Sequence, residues 1–115
     1  MGASMDELLT IEELVIGSHA IACRKGWWDE QPNIPEKLAL VHSEISEALE
    51  AFRDGQMSTT ISGTGKPEGF GVELADAVIR IADLCGYLQI DLAEEIERKA
   101  AYNESRPYRH GGKLA

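Results

Sequence analysis

The chain has 115 residues, of which 43% are hydrophobic and 27% are charged, and this fits one globular domain with a modest core. No apolar run is long enough to span a bilayer, and the first ten residues lack the basic start and apolar stretch of a secretory signal. The formal charge of −9 argues against a nucleic-acid partner, because phosphate backbones are bound by basic side chains. We therefore expect a cytoplasmic protein with no membrane partner, formed by an N-terminal extension at residues 1–9 and a single domain at residues 10–115.

The first predicted helix begins at Thr10, because Thr10 followed by Glu13 is a capping-box pattern. Apolar residues then recur at helical spacing up to a stop at Gly26. The expected core residues of this helix are Ile11, Leu14, Val15, Ser18, Ile21 and Ala22. A turn that contains two adjacent tryptophans, Trp27 and Trp28, follows the helix.

The second predicted helix opens at Asn33 or Ile34 with Pro35, and it runs to about Asp54 before Gly55 ends it. Its expected core residues are Leu38, Val41, Ile45, Ala48, Leu49 and Phe52. The next segment, residues 55–69, is rich in Gly, Ser and Thr and has no apolar periodicity, so we expect a mobile loop. So long a loop in so small a domain often has a function.

Two further helices complete the secondary-structure prediction. The third runs from about residue 70 to residue 88, and its expected core residues are Val72, Ala75, Val78, Ile79, Ala82 and Cys85. Asp91 and Glu94 resemble another capping box, and the fourth helix must stop by Arg106 because Pro107 follows it. No segment predicts a strand. Four helices with short connections on either side of one loop predict an all-α four-helix bundle.

Two pairs of acidic residues lie on the second and third predicted helices. Glu44 and Glu47 are one turn apart on one helical face, and Glu73 and Asp76 repeat that spacing. Two such pairs that face each other across a bundle repel unless a cation lies between them. Either pair alone is equally consistent with a solvated acidic face, but together the four carboxylates are candidate catalytic residues and metal ligands.

The pair on the third helix belongs to a longer charged stripe. Glu73, Asp76, Arg80 and Asp83 recur at helical spacing, and such a stripe either faces solvent or lines a site. Ligand sets made only of oxygen favour Mg²⁺ or Mn²⁺ over Zn²⁺, and none of the three histidines shows a paired metal-ligand spacing. The two cysteines lie among apolar neighbours on predicted helices, so we expect reduced core thiols.

The apolar stripe of the fourth helix becomes polar toward its end, where Lys99, Asn103 and Arg106 continue it. Near an acidic cluster these side chains would bind a polyphosphate, because Lys99 and Arg106 offset oxygen charge and Asn103 donates a hydrogen bond. The alternative is a helix end that carries ordinary surface charges. The basic tail at residues 108–113 either folds over bound phosphates or is a disordered terminus.

Four segments taken together, residues 26–29, 38–51, 73–80 and 99–108, resemble MazG-type nucleoside triphosphate pyrophosphohydrolases in their order and spacing. The resemblance covers the chain from residue 10 to its end. It implies a MazG-like all-α fold that assembles as a homodimer or as a dimer of dimers. It also implies that hydrolysis between the α and β phosphates of a nucleoside triphosphate yields a nucleoside monophosphate and pyrophosphate, as nucleotide-pool housekeeping.

The same resemblance assigns Mg²⁺ binding to Glu44, Glu47, Glu73 and Asp76. One position departs from the family pattern, because many members have an acidic residue directly before the first motif glutamate, where this chain has Ser43. The departure leaves open which acid activates the attacking water. Metal ions in such a site would neutralise phosphate oxygens and orient a water for in-line attack, so that no covalent nucleophile is needed.

The tryptophan pair is a candidate for contact with the base. Trp28 or Trp27 could stack on it, as an aromatic residue near the start of the second helix does in the related enzymes. A tryptophan pair after a helix is as often a hydrophobic lid on the core. Two other functions stay open: a non-catalytic helical interaction protein whose acidic stripes are surface, and a related helical enzyme that acts on phosphoribosyl-ATP or dUTP.

Overall fold

The computed structural model describes residues 8–109, and the predicted extension up to residue 7 and the tail beyond residue 109 lie outside this range. The described chain forms four helices, α1 (Ile11–Arg24), α2 (Ile34–Arg53), α3 (Phe70–Leu88) and α4 (Leu92–Ser105), and two strands, β1 (Thr60–Ile61) and β2 (Pro67–Glu68). The prediction of a mostly helical protein is confirmed. Within residues 8–109, none of the helices combines the length and apolar character that crossing a bilayer requires.

The helix ends are set by local capping contacts. The Thr10 side chain accepts a hydrogen bond from the backbone N–H of Glu13 (3.0 Å), and the Glu13 carboxylate accepts one from the backbone N–H of Thr10 (2.9 Å). Asn33 and Asp91 cap α2 and α4 by accepting a backbone N–H three residues further on. The helices therefore begin and end close to the positions that the capping patterns predict.

The segment between α2 and α3 carries a short antiparallel hairpin. Thr60 lies opposite Glu68, and the backbone N–H of Ser62 donates to the carbonyl of Lys66 at 2.9 Å. Gly65 occupies the turn at φ +86°, a conformation that glycine adopts at low cost. The prediction that no segment forms a strand is wrong here, because strands of two residues are too short to show an alternating pattern. The mobility of residues 55–69 stays a prediction.

Helix α3 lies at the centre and packs against both α1 and α2. The contacts of Phe70 with Phe52 and of Arg80 with Glu44 show that α2 runs antiparallel to α3. Helix α4 packs more lightly, mainly on α1, and buries no residue completely. The Cα radius of gyration is 16.8 Å, compared with about 13 Å for a compact chain of this length. One chain therefore forms a three-helix core with a peripheral fourth helix rather than a closed four-helix bundle.

The interior of the single chain is made of small side chains. Within residues 8–109 the buried residues between the helices are Ser18, Ala22, Ala48, Ala51, Ala77, Ala82 and Cys85. Most of the large residues that were expected in the core are exposed, and these are Ile11, Ile21, Leu38, Ile45, Leu49, Phe52, Val78 and Ile79. The core prediction is therefore wrong for these positions. The small residues let the helix backbones approach closely, so the large apolar residues beside them point away from the helix contacts.

We expect Gly86→Ala to lower the free energy of unfolding by about 1–3 kcal/mol, the usual cost of overpacking a close contact. A Cβ atom at Gly86 would lie 2.6 Å from the Cβ of His19 and 3.3 Å from the carbonyl oxygen of Val15, so α1 would have to move away from α3. Denaturant unfolding measures the change.

Gly17→Ala is the matched control, because Gly17 lies inside α1 with no atom within 4 Å of the added Cβ. Replacing a helix-interior glycine by alanine is expected to stabilise by about 0.5–1 kcal/mol. Destabilisation of both variants by the same amount would show that the close approach of α1 to α3 is not the reason why alanine is unfavourable at position 86.

Candidate functional site

A cavity of about 280 Å³ lies between α1, α2, α3 and the turn that follows α1. Glu44, Asp76 and Arg80 line it at one end, and Trp28 and Asp83 line it at the other. Asp76 and Asp83 are seven residues apart on α3, so they share one helical face and are separated by about 10 Å along its axis. Three of the four residues of the charged stripe, Asp76, Arg80 and Asp83, therefore line a cavity instead of facing only solvent.

Three of the four predicted carboxylates converge at the first end of the cavity. One oxygen from each of Glu44, Glu73 and Asp76 lies within 4.8 Å of the others. Glu44 and Glu73 are half-buried, whereas Glu47 is exposed and lies outside this group. The structure thus brings together carboxylates from α2 and α3, and it leaves Glu47 at the edge of the cluster.

The carboxylates of the cluster disfavour each other's charge. Burial raises the pKa of Glu73, and the neighbouring carboxylates of Asp76, Glu44 and Glu47 raise it further. Burial and Glu44 likewise raise the pKa of Asp76, whereas Arg80 and Lys66 act in the opposite direction. Three converging carboxylates, of which Glu73 and Asp76 have raised pKa values, would suit a divalent cation, because a cation would replace the mutual repulsion by attraction.

Two basic side chains accompany the cluster. Arg80 Nε donates a hydrogen bond of 2.9 Å to Glu44 Oε1 and so fixes a carboxyl group that is only 15% exposed. Lys66 comes from the hairpin and lies close enough to oppose part of the rise in the pKa values of Glu73 and Asp76. The sequence identified Arg80 only as a member of the charged stripe. Lys66 was not identified from the sequence, because its approach to the acidic cluster depends on the hairpin.

The other end of the cavity is built around Asp83. Its Oδ1 accepts hydrogen bonds from His19 Nδ1 and from Trp28 Nε1, both at 2.9 Å. Tyr87 stacks on the Trp28 ring with a centroid separation of 4.2 Å and an angle of 4° between the planes. His19 and Tyr87 were not predicted as site residues, because these contacts join residues that are distant in the chain.

The two tryptophans differ in their availability to a ligand. Tyr87 already covers one side of Trp28, and Lys37 Nζ lies 4.4 Å from the Trp28 ring centroid. Lys37 also donates a hydrogen bond of 3.1 Å to the carbonyl of Trp27. The Trp27 side chain is 66% exposed and also lines the cavity. Trp28 is therefore a fixed part of the cavity wall, and Trp27 has the freer ring.

The two cysteines have different surroundings. Cys85 is buried in the helix contacts, and burial raises the pKa of its thiol. Cys23 is exposed, and its Sγ lies 3.5 Å from His19 Nε2. The prediction of a core thiol is therefore wrong for Cys23, because the last turn of α1 turns this position toward solvent.

The polar stripe of α4 does not reach the cavity within one chain. Lys99 and Asn103 are exposed, Arg106 is half-buried, and none of the three lines the cavity. Lys99 Nζ and Arg106 Cζ instead lie 4.8 Å and 5.5 Å from the ring centroid of Tyr102. The structure thus brings together the acidic cluster and the tryptophans, but not the predicted phosphate-binding residues.

The site consequently has two chemically different ends in one cavity. The end with the carboxylates suits a cation and its anionic ligands, and the end with Trp27 and Trp28 suits a planar ring. Comparison of the chain with protein-family models, with curated proteins and with solved structures finds no match.

Proposed function

We propose that this chain is a MazG-like, Mg²⁺-dependent pyrophosphohydrolase that converts nucleoside triphosphates into nucleoside monophosphate and pyrophosphate. The observation that supports it is a cavity with Glu44 and Asp76 of the acidic cluster at one end and an aromatic wall, made of Trp27 and Trp28, at the other. A nucleotide has the complementary shape, because its phosphates need cations near carboxylates and its base is planar and stacks on aromatic rings. The resemblance of four sequence segments to this family supports the same reaction.

Glu44, Glu73 and Asp76 are the residues that would hold the metal. Their donor atoms are all carboxylate oxygens, which favours Mg²⁺ and also permits Mn²⁺. A bound Mg²⁺ supplies positive charge that offsets the charge of the phosphate oxygens. Arg80 orients the Glu44 carboxylate through its hydrogen bond, so the ligand geometry is set before the substrate binds.

Glu47 has a different role in this proposal. It lies outside the group of converging oxygens, yet it is close enough to raise the pKa of Glu73. An exposed carboxylate at the edge of the cluster can accept the proton of a water that attacks a phosphate. This role replaces the acid that relatives carry at the position of Ser43.

A second copy of the chain completes the proposed enzyme. Large apolar side chains of α2 are about half exposed, with Ile45 at 51%, Leu49 at 55% and Phe52 at 58%, and these residues lie on one face of the helix. Such a contiguous apolar face on a small domain is typical of a protein interface. We assign it to a homodimer, whose further pairing into a homotetramer would require other surfaces, and we assign Lys99, Asn103 and Arg106 to the cavity of the partner subunit.

Incubation of the pure protein with each common nucleoside triphosphate and Mg²⁺, followed by identification of the products, tests the reaction. We expect a nucleoside monophosphate and pyrophosphate, and we expect a metal chelator to stop their release. Release of a nucleoside diphosphate and orthophosphate would place the attack at the γ phosphate and would contradict the proposal. Adding dUTP and phosphoribosyl-ATP to the panel separates the related activities.

The exposed apolar residues also favour a second candidate function, a non-catalytic helical interaction protein. This candidate predicts that Mg²⁺ leaves the melting temperature unchanged, because acidic stripes on a surface bind the ion too weakly to stabilise the fold. The enzyme predicts a higher melting temperature with Mg²⁺ than with a chelator.

A further inference from the structure

The carboxyl group of Asp83 uses only one of its oxygens within the described protein. Oδ1 accepts from His19 and Trp28, and no hydrogen bond among residues 8–109 reaches Oδ2. The Asp83 side chain is 17% exposed and lines the cavity. A carboxylate oxygen can only accept hydrogen bonds, so Oδ2, which water can reach, is open to a donor from a molecule that enters the cavity.

The two contacts at Oδ1 fix the direction of the free oxygen. His19 Nδ1 must carry its proton to bond a carboxylate, and Trp28 Nε1 is always a donor. Because these donors come from α1 and from the turn after it, they hold the carboxyl group from two sides. Oδ2 is therefore an oriented acceptor at the aromatic end of the cavity.

The separation of Asp76 and Asp83 suits a nucleotide that has its phosphates at the acidic cluster and its base at Asp83. Asp76 and Asp83 lie on the same face of α3, two turns apart, and both line the cavity. If the phosphates lie near Asp76, the sugar spans the middle of the cavity and the edge of the base reaches Asp83. Lys37, which lines the same cavity, lies over the Trp28 ring and donates to the carbonyl of Trp27.

We infer that Asp83 Oδ2 accepts a hydrogen bond from an exocyclic amino group of the base, so that the enzyme prefers bases that carry one over their oxo counterparts. This inference rests on the proposed function. The amino group of cytosine or adenine donates to a carboxylate, and the equivalent position of uracil or hypoxanthine is a carbonyl acceptor. Turning the only ring N–H of uracil toward Asp83 would bring two flanking carbonyl oxygens close to the negative charge. The acceptor thus selects against uracil by repulsion as well as by a lost hydrogen bond.

Asp83→Asn tests the inference with little change of shape. The amide oxygen can still accept from His19 and Trp28, which places the NH₂ group where Oδ2 was and changes the free acceptor into a donor. We expect the wild-type protein to prefer CTP to UTP in kcat/KM. We expect the variant to lower that ratio by roughly tenfold or more, as loss of a specific base contact does.

Three further measurements sharpen the test. The same ratio for ATP and ITP, which differ by one amino group, shows whether a purine also fits. Calorimetric binding of the α,β-methylene analogues of CTP and UTP gives the preference without turnover. Glu12→Gln is the acid-to-amide control, because Glu12 is exposed on α1 and does not line this cavity.

The outcomes separate this inference from the proposed function. If Asp83→Asn changes neither the CTP-to-UTP ratio nor the ATP-to-ITP ratio while the wild type still releases pyrophosphate, Asp83 does not read the base and the inference alone fails. If the wild type releases pyrophosphate from none of the common nucleoside triphosphates, the proposed function fails, and the calorimetric preference still decides whether Asp83 selects an amino group. A uniform loss of affinity for both members of a pair would show a structural role only and would also overturn the inference.

Discussion

Asp76→Asn is expected to lower kcat/KM for a nucleoside triphosphate by roughly 100-fold or more, because one of three converging metal ligands loses its charge. Its effect on stability is expected to have the opposite sign. Burial and Glu44 raise the pKa of Asp76, so the ionised carboxylate is disfavoured where it lies and a neutral amide relieves that strain. The metal-free variant should melt no lower than the wild type, and its melting temperature should no longer rise with Mg²⁺.

Pyrophosphate release and thermal melts with Mg²⁺ or chelator measure both effects. Glu97→Gln, on the exposed surface of α4, makes an equivalent acid-to-amide change outside the cluster and is expected to keep activity and the Mg²⁺ response. Wild-type activity together with an unchanged Mg²⁺ response in Asp76→Asn would show that the cluster is not a metal site. The interaction protein would then be the better explanation of the exposed apolar residues.

A mixture of two inactive variants is expected to regain about a quarter of wild-type activity if α4 of one subunit completes the cavity of the other. One variant is Asp76→Asn, and the other carries both Lys99→Ala and Asn103→Ala. The α4 variant alone is expected to lose roughly 100-fold or more in kcat/KM, since it lacks two charge-assisted contacts that contribute about 1.5–3 kcal/mol each. After subunit exchange, half of the dimers are mixed, and each mixed dimer has one site with an intact cluster and an intact α4.

Mixing Asp76→Asn with Glu44→Gln is the matched control, because both changes lie in the same cluster and every site stays defective in any arrangement. Activity of the first mixture that never exceeds the mean of its two components would exclude a contribution of α4 across subunits. Lys99, Asn103 and Arg106 do not contact the cavity within one chain. They would then be ordinary surface residues, which is the alternative that the sequence also allowed.

The sequence predicted the helices well because their ends depend on neighbouring residues. Thr10 and Asp91 accept the backbone N–H that their spacing predicts, and Asn33 caps α2 at one of the two starts that the sequence allowed. The hairpin at residues 60–68 was missed because its pairing depends on a turn and not on a periodic pattern. Local chemistry was thus enough for the helices but not for the loop.

The core was predicted poorly for a physical reason. Hydrophobic periodicity marks the apolar face of a helix, but it does not tell which apolar residues are buried within the chain and which stay exposed on its surface. Ala48 is buried, whereas Leu49 and Phe52 of the same predicted stripe are more than half exposed. The contacts inside one chain use small side chains, which contribute little to a hydropathy pattern.

The candidate site was predicted in part. The spacing of Glu44, Glu73 and Asp76 on two helices was enough to indicate a shared cluster, and the structure brings these three together. The contacts of His19 and Tyr87 lie beyond sequence reasoning, because they arise only when α1 packs on α3. Metal binding, catalysis and the role of Glu47 stay predictions that the experiments above test.

The shared oxygen of Asp83 also bears on the order of folding. Oδ1 bonds residues that precede it by 64 and 55 positions, so the aromatic wall requires the closure of long loops. Contacts of such sequence separation are costly to form early, and they slow folding when they are part of its nucleus. The aromatic wall is complete only once α1 and the turn after it have docked on α3. A ligand that binds against this wall is consequently expected to protect the backbone amides of α1 and α3 from hydrogen exchange together, as one cooperative unit.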